Sequence, residues 1–115
     1  VTAADIDPWS VVATRMNAAL NDVTVSFSEE NLVGRDDGWD TILAGDVFYE
    51  RAMADLLVPW FAALAARGAD ILVGDPGRHY LPRGCLDPLA TYEVPVSRAL
   101  EDSEVKRTTV WRFRR

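Results

Sequence analysis

From Glu50 to Arg67 the apolar residues Met53, Leu56, Leu57, Trp60, Phe61 and Leu64 recur at helical spacing and keep one continuous face. Gly68 follows at the position of a C-cap, and Pro59 removes one donor from the helical ladder, which predicts a kink near residues 55 to 59. On either side lies a short run that reads as a strand: "WDTILAG" at 39–45, which buries Ile42, Leu43 and Ala44, and "DILVG" at 70–74. Strand, helix and strand in immediate succession leave the chain few choices. Two strands joined by a helical crossover lie parallel, and the crossover is right-handed.

The same alternation precedes this unit. "VTAAD" reads as a strand that ends at Asp5; Asp7 and Pro8 then supply an N-cap and a first-turn proline. Trp9, Val12, Ala13, Met16 and Leu20 mark a helix over 8–20, and "VTVSF" at 23–27 reads as a strand, followed by a polar loop with Gly34, Asp36, Asp37 and Gly38. After the second unit comes the turn cluster "GDPGR", then residues 79–90 with little periodicity. "TYEVPVS" and "KRTTVWRF" follow as two strands joined by a turn around Glu101 to Glu104, the first of them placed at a sheet edge by Pro95. The fold class is therefore α/β: a Rossmann-like, doubly wound, mostly parallel sheet with helices on both faces, ending in an antiparallel hairpin. The whole reads as one domain, without internal repeat or linker.

Composition narrows the partners. Twelve basic against eighteen acidic residues give a net charge of −6, so the basic footprint of a nucleic-acid binder is missing. Cys85 is the only cysteine and His79 the only histidine, so no cysteine or histidine metal cluster is expected. No apolar run reaches the ~18 residues of a membrane span, and no signal peptide is evident. These absences are read as a cytoplasmic protein with neither nucleic-acid nor membrane partner.

In doubly wound sheets the ligand sits beyond the carboxyl ends of the strands. Asp5, Asp46 and Asp75 each end a strand, and they are expected to face a common cleft. Asp5 reads either as a carboxylate for the ribose hydroxyls of a nucleotide-like cofactor or as a capping acid, a role for which Asp7 also qualifies. Asn31 and Leu32 read as contacts to an adenine edge and face, or as plain loop. Asp46 lies one helical turn before Tyr49; it reads as half of a site with that ring, or as the cap of the following helix. Arg78 is placed to pair with a carboxylate or to hold a structural turn. Lys106, Arg107, Arg112, Arg114 and Arg115 crowd into the last ten positions, as a docking strip for an acidic protein or as a solvated edge strand.

"AADIDP" before a helix, then "GWD", "GDVFYE", "ILVGDPGR" and "TTVWRF" together resemble the class I, seven-β-strand S-adenosylmethionine-dependent methyltransferases. Within them the chain is similar to the group with an Asp-x-x-Tyr motif after strand four, the lysine methyltransferases of the electron transfer flavoprotein β subunit and their bacterial relatives. "DIDP" is shared widely; "GDVFY" with "GDPGR" at this separation is the specific part. The resemblance implies S-adenosylmethionine as cofactor, with Asp5 on the ribose, Ile6 against the adenine, and Asn31 and Leu32 near its edge. Asp46 and Tyr49 would be the Asp-x-x-Tyr pair at the acceptor-lysine pocket of a protein substrate. No metal is implied. A ribosomal or other protein as acceptor, or a non-catalytic interaction domain that keeps the fold, is the alternative.

The resemblance also aligns "VTAAD" with the family's second strand. The chain is thus expected to be the C-terminal part of one methyltransferase domain, lacking the glycine-rich cofactor loop and the first strand, which is central in the family's sheet. Its absence would leave the flanking strands roughly 10 Å apart. Their unpaired edges favour a homo-oligomer.

Overall fold

The computed structural model describes residues 1–95 and 105–115. It divides into two compact units, Val1–Arg35 and Asp36–Arg115.

In the first unit β1 (Thr2–Ala4) and β2 (Ser26–Ser28) form a parallel pair, with α1 (Pro8–Leu20) as the crossover. Asp7 caps α1 as expected: its carboxylate accepts the Trp9 N–H at 3.0 Å, and Pro8 occupies the first turn, where no donor is needed. At the other end Asp22 takes a left-handed φ of 53°, and the Asp22 and Val23 N–H groups bond to Ala19 and Ala18. This Schellman closure uses the Val23 donor, so the second strand starts at Ser26 and not at Val23.

The apolar residues that mark α1 are mostly not its buried ones. Val11 is its buried residue, whereas Trp9, Val12, Met16 and Leu20 are exposed, Trp9 and Leu20 by about four-fifths. The helical period is as read; within this unit the broader apolar stripe is turned to the surface.

In the second unit four strands lie in the order β3-β4-β6-β5. β3 (Thr41–Gly45) and β4 (Asp70–Asp75) are parallel, joined by α2 (Arg51–Ala66); β6 (Val105–Phe113) is antiparallel to both β4 and β5 (Leu86–Pro95).

α2 spans nearly the predicted residues, with Glu50 and Arg67 as its caps. Gly68 adopts φ 111°, open to glycine without a Cβ penalty, while its N–H bonds to Ala65 and that of Ala69 to Leu64. Arg67 adds a tether: its guanidinium forks onto Asp36 at 2.6 and 2.8 Å and reaches the Trp39 carbonyl at 2.8 Å. That hydrogen-bonded fork is the main reason the Asp36 carboxyl sits below the usual carboxylate range. Pro59 lies inside the helix on its exposed side.

The core lies between α2 and one face of the sheet. Leu57, Phe61, Leu64 and Ala65 of the helix are buried, as are Ile71 and Val73 of β4 and Phe113 of β6. Leu43, by contrast, is 77% exposed. β3 is an edge strand, and its period of two puts Leu43 with its partner Leu72 on the face away from Ile71 and Val73. The expectation that Leu43 is buried is corrected by that alternation.

The stretch without periodicity, 79–90, contains a short 3₁₀ turn (Arg83–Cys85) and the start of β5, which begins at Leu86 and not at Thr91. A register shift between Pro88 and Ala90 hides the alternation there. β5 is the sheet edge that Pro95 predicted; Val96, Ser97 and the turn at 101–104 lie outside the described residues.

Phe61 meets Phe48, Trp60 and Phe113, at ring-centroid distances of 6.3, 5.3 and 6.1 Å. Truncation at such a junction removes both transfer energy and edge contacts. We expect Phe61→Ala to lower unfolding free energy by about 3–5 kcal/mol, read from urea denaturation at neutral pH. An exposed helix site such as Leu56, 56% accessible, should tolerate the same change to within about 1 kcal/mol.

Candidate functional site

The candidate residues fall into two groups, one in each unit. In the first, the register Ala4↔Ser28 carries Asp5 and Asn31 past the carboxyl ends of two adjacent parallel strands. The Asp5 N–H continues the ladder to Ser28 at 3.2 Å, and its side-chain Oδ1 accepts the Asp7 N–H at 2.9 Å. Asp5 is exposed, so it is an acidic turn residue with carboxylate surface open to solvent. Ile6 is 65% exposed beside it. The Asn31 Oδ1 accepts the Val33 N–H at 3.1 Å, an Asx turn that orients the loop; Leu32 is half-buried.

In the second unit, Asp46 follows β3 and Asp75 ends the adjacent parallel strand β4, and both bond to Arg78. The Asp46 N–H reaches the Gly74 carbonyl at 2.8 Å, one step beyond the ladder, and Asp46 itself has φ 49°. A left-handed aspartate is tolerable but uncommon, since its short polar side chain is among the few that accept this backbone. Its carboxylate receives Arg78 in a two-point fork, Nε to Oδ1 and Nη2 to Oδ2, both at 2.8 Å. The Arg78 fork lowers the Asp46 pKa against the opposing effect of partial burial, and the Arg78 and Lys106 charges act in the same direction.

Asp46 does not cap the following helix. Glu50 occupies the N-cap position.

Asp75 does not share a cleft with these groups. It is 1% exposed, and its Oδ2 accepts the N–H groups of Gly77 and Arg78, each at 2.7 Å. It therefore builds the "GDPGR" turn from below, with Gly77 at φ 103° where a Cβ would be strained. Its Oδ1 is buried without a partner among the described residues. Sequence reasoning missed this division of labour. The available signal was the spacing itself: an acid, then glycine and arginine two and three positions on, as an Asx-type turn requires.

Phe48 and Tyr49 part company. Phe48 is fully buried against Phe61, while Tyr49 is 56% exposed. The chain between Asp46 and α2 is thus anchored by one ring and presents the next, on the same stretch as the Asp46–Arg78 pair. His79 is exposed and lies edge-on to Tyr80 at 5.0 Å.

A shallow groove of about 570 Å³ lies elsewhere, lined by Asp70, Asp87, Arg112 and Arg114 at the opposite ends of the strands. Four of its charges pair with one another: Arg112 with Asp70 at 2.8 Å and Arg114 with Asp87 at 2.7 Å. Arg107 pairs with Glu93 at 3.3 Å. Three of the five C-terminal basic residues thus pair within the sheet, and β6 is an inner strand, which corrects the edge-strand reading. Among the described residues no group of histidine, cysteine or carboxylate side chains is arranged to hold a metal, and no helix is long and apolar enough to cross a membrane.

The low Asp46 pKa fixes the sign of a pH effect. The folded chain binds the Asp46 proton more weakly than the unfolded chain does. The stabilisation is therefore full above the ordinary carboxylate pKa of about 3.9 and is lost as pH falls below it. Both side chains are about 40% exposed, so the effect is on the order of 1 kcal/mol or less. Thermal melts of wild type and Asp46→Asn should differ by a few degrees at pH 6 and converge towards pH 2 to 3. Asp46→Ala should cost about 1 kcal/mol more than Asp46→Asn at every pH, because alanine resists the left-handed backbone.

No protein-family profile matches the chain. Among proteins of known name, it is 39% identical over 121 aligned residues to the electron transfer flavoprotein beta subunit lysine methyltransferase of Danio rerio, covering 98% of this chain and 46% of that protein. It is 40% identical to the Xenopus laevis protein of the same name, with 98% and 49% covered, and 31% identical to the human one, with 98% and 46% covered. The chain spans about half the length of these relatives. Among solved structures, the N-methyltransferase NodS from Bradyrhizobium japonicum WM9 shares the fold at 12% identity. Its complex with S-adenosyl-L-homocysteine aligns at TM-score 0.56 over 97% of this chain and 65% of that one, and a second structure aligns at 0.57 over 99% and 73%. Fold and relatives agree: the chain has the class I methyltransferase fold and, in sequence, is a member of the family of electron transfer flavoprotein β subunit lysine methyltransferases.

Proposed function

We propose that the protein is an S-adenosylmethionine-dependent methyltransferase whose acceptor is a protein lysine, in the electron transfer flavoprotein β subunit as in the relatives' names. The observation that carries this reading is that similarity to those relatives runs along 98% of the chain and includes the strand-end segments bearing Asp46, Tyr49 and Arg78. Asp5 fits a ribose: it is an exposed residue past a parallel strand, with one carboxylate oxygen held by the Asp7 N–H. Ile6 supplies apolar surface next to it, and Asn31 and Leu32 follow the adjacent strand, where an adenine edge and face would lie.

When bound, the cofactor supplies a methyl group on a positively charged sulfur, an electrophile. The rest falls to this chain and to the acceptor. A lysine ammonium, with a pKa of about 10.4, must shed its proton before its lone pair is available, and a partly desolvated pocket favours the neutral amine. Tyr49 offers an exposed ring to wall such a pocket and to hold the incoming cation over its face. The Asp46 carboxylate accepts a hydrogen bond from the amine and orients it. Neither residue is the proton's final acceptor; water takes that role, and the residues act by positioning. The compartment that fits this reading is the cytoplasm, and the partner is the acceptor protein.

Two measurements test the proposal. Calorimetric titration of S-adenosylhomocysteine into the full gene product should show binding, and Asp5→Ala should weaken it at least tenfold. Transfer of labelled methyl from S-adenosylmethionine to the purified electron transfer flavoprotein β subunit should fall by on the order of 10²-fold in Asp46→Asn. Tyr49→Ala should lower it about tenfold, the ratio that corresponds to loss of a cation–π contact near 1.4 kcal/mol. Wild-type transfer rates in both Asp46→Asn and Tyr49→Ala would overturn the acceptor-site assignment.

A further inference from the structure

Arg78 is absorbed by neither the Asp-x-x-Tyr pair nor the cofactor residues, yet it is among the most tightly held side chains at this rim. Its guanidinium forks onto Asp46 at 2.8 and 2.8 Å across 32 residues of sequence. Its N–H is fixed by the buried Asp75 carboxylate at 2.7 Å, and its carbonyl accepts from the Leu81 N–H and from the Arg83 guanidinium, each at 3.3 Å. At the other end of the fork, Asp46 is pinned through its N–H to Gly74 and held at a left-handed φ. Both partners of the ion pair are thus anchored through their backbones to the ends of β3 and β4.

An ordinary surface ion pair joins two mobile side chains and contributes little. Here the pair is half-exposed, so stability gains little from it, while its geometry is fixed at every point of attachment. The fork has a further property. With Nε on one carboxylate oxygen and Nη2 on the other, the plane of the carboxylate is set by the plane of the guanidinium, and each oxygen keeps lone-pair capacity for a second donor. A lysine in place of Arg78 would keep the charge and lose the plane.

We propose that Arg78 is a positioning residue of the acceptor site: its fork locks the Asp46 carboxylate in one plane, so that the oxygens meet the acceptor amine in a single orientation. This rests on the methyltransferase reading above and adds to it a third residue, which acts through Asp46 and does not touch the acceptor.

The test uses the full gene product and three variants, Arg78→Gln, Arg78→Lys and the double variant Asp46→Asn/Arg78→Gln. Three readouts are followed: the Asp46 carboxyl titration by carbon-detected NMR, S-adenosylhomocysteine affinity by calorimetry, and kcat and KM for methyl transfer. In Arg78→Gln the Asp46 pKa should rise towards the ordinary carboxylate value and kcat should fall at least tenfold, with cofactor affinity within twofold of wild type. Arg78→Lys should keep the Asp46 pKa low yet still lose most of kcat, which separates orientation from charge. The double variant should be no slower than Asp46→Asn alone, since Arg78 works only through that carboxylate.

Wild-type kcat in Arg78→Lys would overturn the positioning role, as would losses that multiply in the double variant. A wild-type protein that transfers no methyl group, while Asp46 still titrates low and responds to Arg78→Gln, would mark failure of the methyltransferase reading. The positioning role would fall with it, and the ion pair would stand as structure alone. The NMR titration distinguishes the two failures.

Discussion

Phe61 is buried where α2 lies on the sheet, edge-on to Phe48 ahead of the helix and to Phe113 at the end of β6. The segment before the helix, the helix and the last strand are tied at this point by apolar area and by ring contacts that add roughly 0.5–1.5 kcal/mol each beyond burial. The rim at the carboxyl ends of β3 and β4 depends on it. With Phe48 seated, the chain leaving β3 has one exit path, and Asp46 and Tyr49 take their places along that path. The polar contacts at the rim then refine a geometry that aromatic packing has already chosen.

The Asp46–Arg78 pair and the Asp75 turn divide two tasks that acidic residues often share. Asp75 spends its buried oxygen on backbone N–H groups and shapes a loop; Asp46 keeps a half-exposed carboxylate at the surface. Arg78 is the link, since its main chain belongs to the first arrangement and its side chain to the second. Depression of the Asp46 pKa therefore reports more than a neighbouring charge. It reports that the turn holding Arg78 is intact.

Much of this was legible in the residues. The helical period of 50–67 with Gly68 behind it located α2 to within a residue at each end, because length, apolar face and cap all agree there. Asp7 and Pro8 marked the start of α1 for the same reason. Legibility failed where a tertiary choice intervenes. Val23 looks like a strand residue, yet its N–H is taken by the helix end before it; Leu43 looks like core, yet edge position and alternation expose it. Pro88 and the register shift beside it masked the start of β5. At the site, residue types showed that Asp46, Asp75 and Arg78 matter at the strand ends, but not which acid the arginine would choose. That choice is made by the left-handed turn at Asp46 and by the burial of Asp75; the spacing of Asp75, Gly77 and Arg78 marks the second, but nothing in the spacing marks the first.

The neighbours Phe48 and Tyr49 differ by only a hydroxyl, yet one is sealed in the core and the other stands in solvent. What separates them is their phase along the short segment between Asp46 and Arg51. Removal of one residue there would swing the phenol into the space made for the phenyl ring, with its hydroxyl stranded, and would turn the phenyl ring out to water. Chain length in this stretch is thus a constraint of its own kind. A substitution here alters one side chain at a time, whereas a single inserted or deleted residue interchanges anchor and presented surface together.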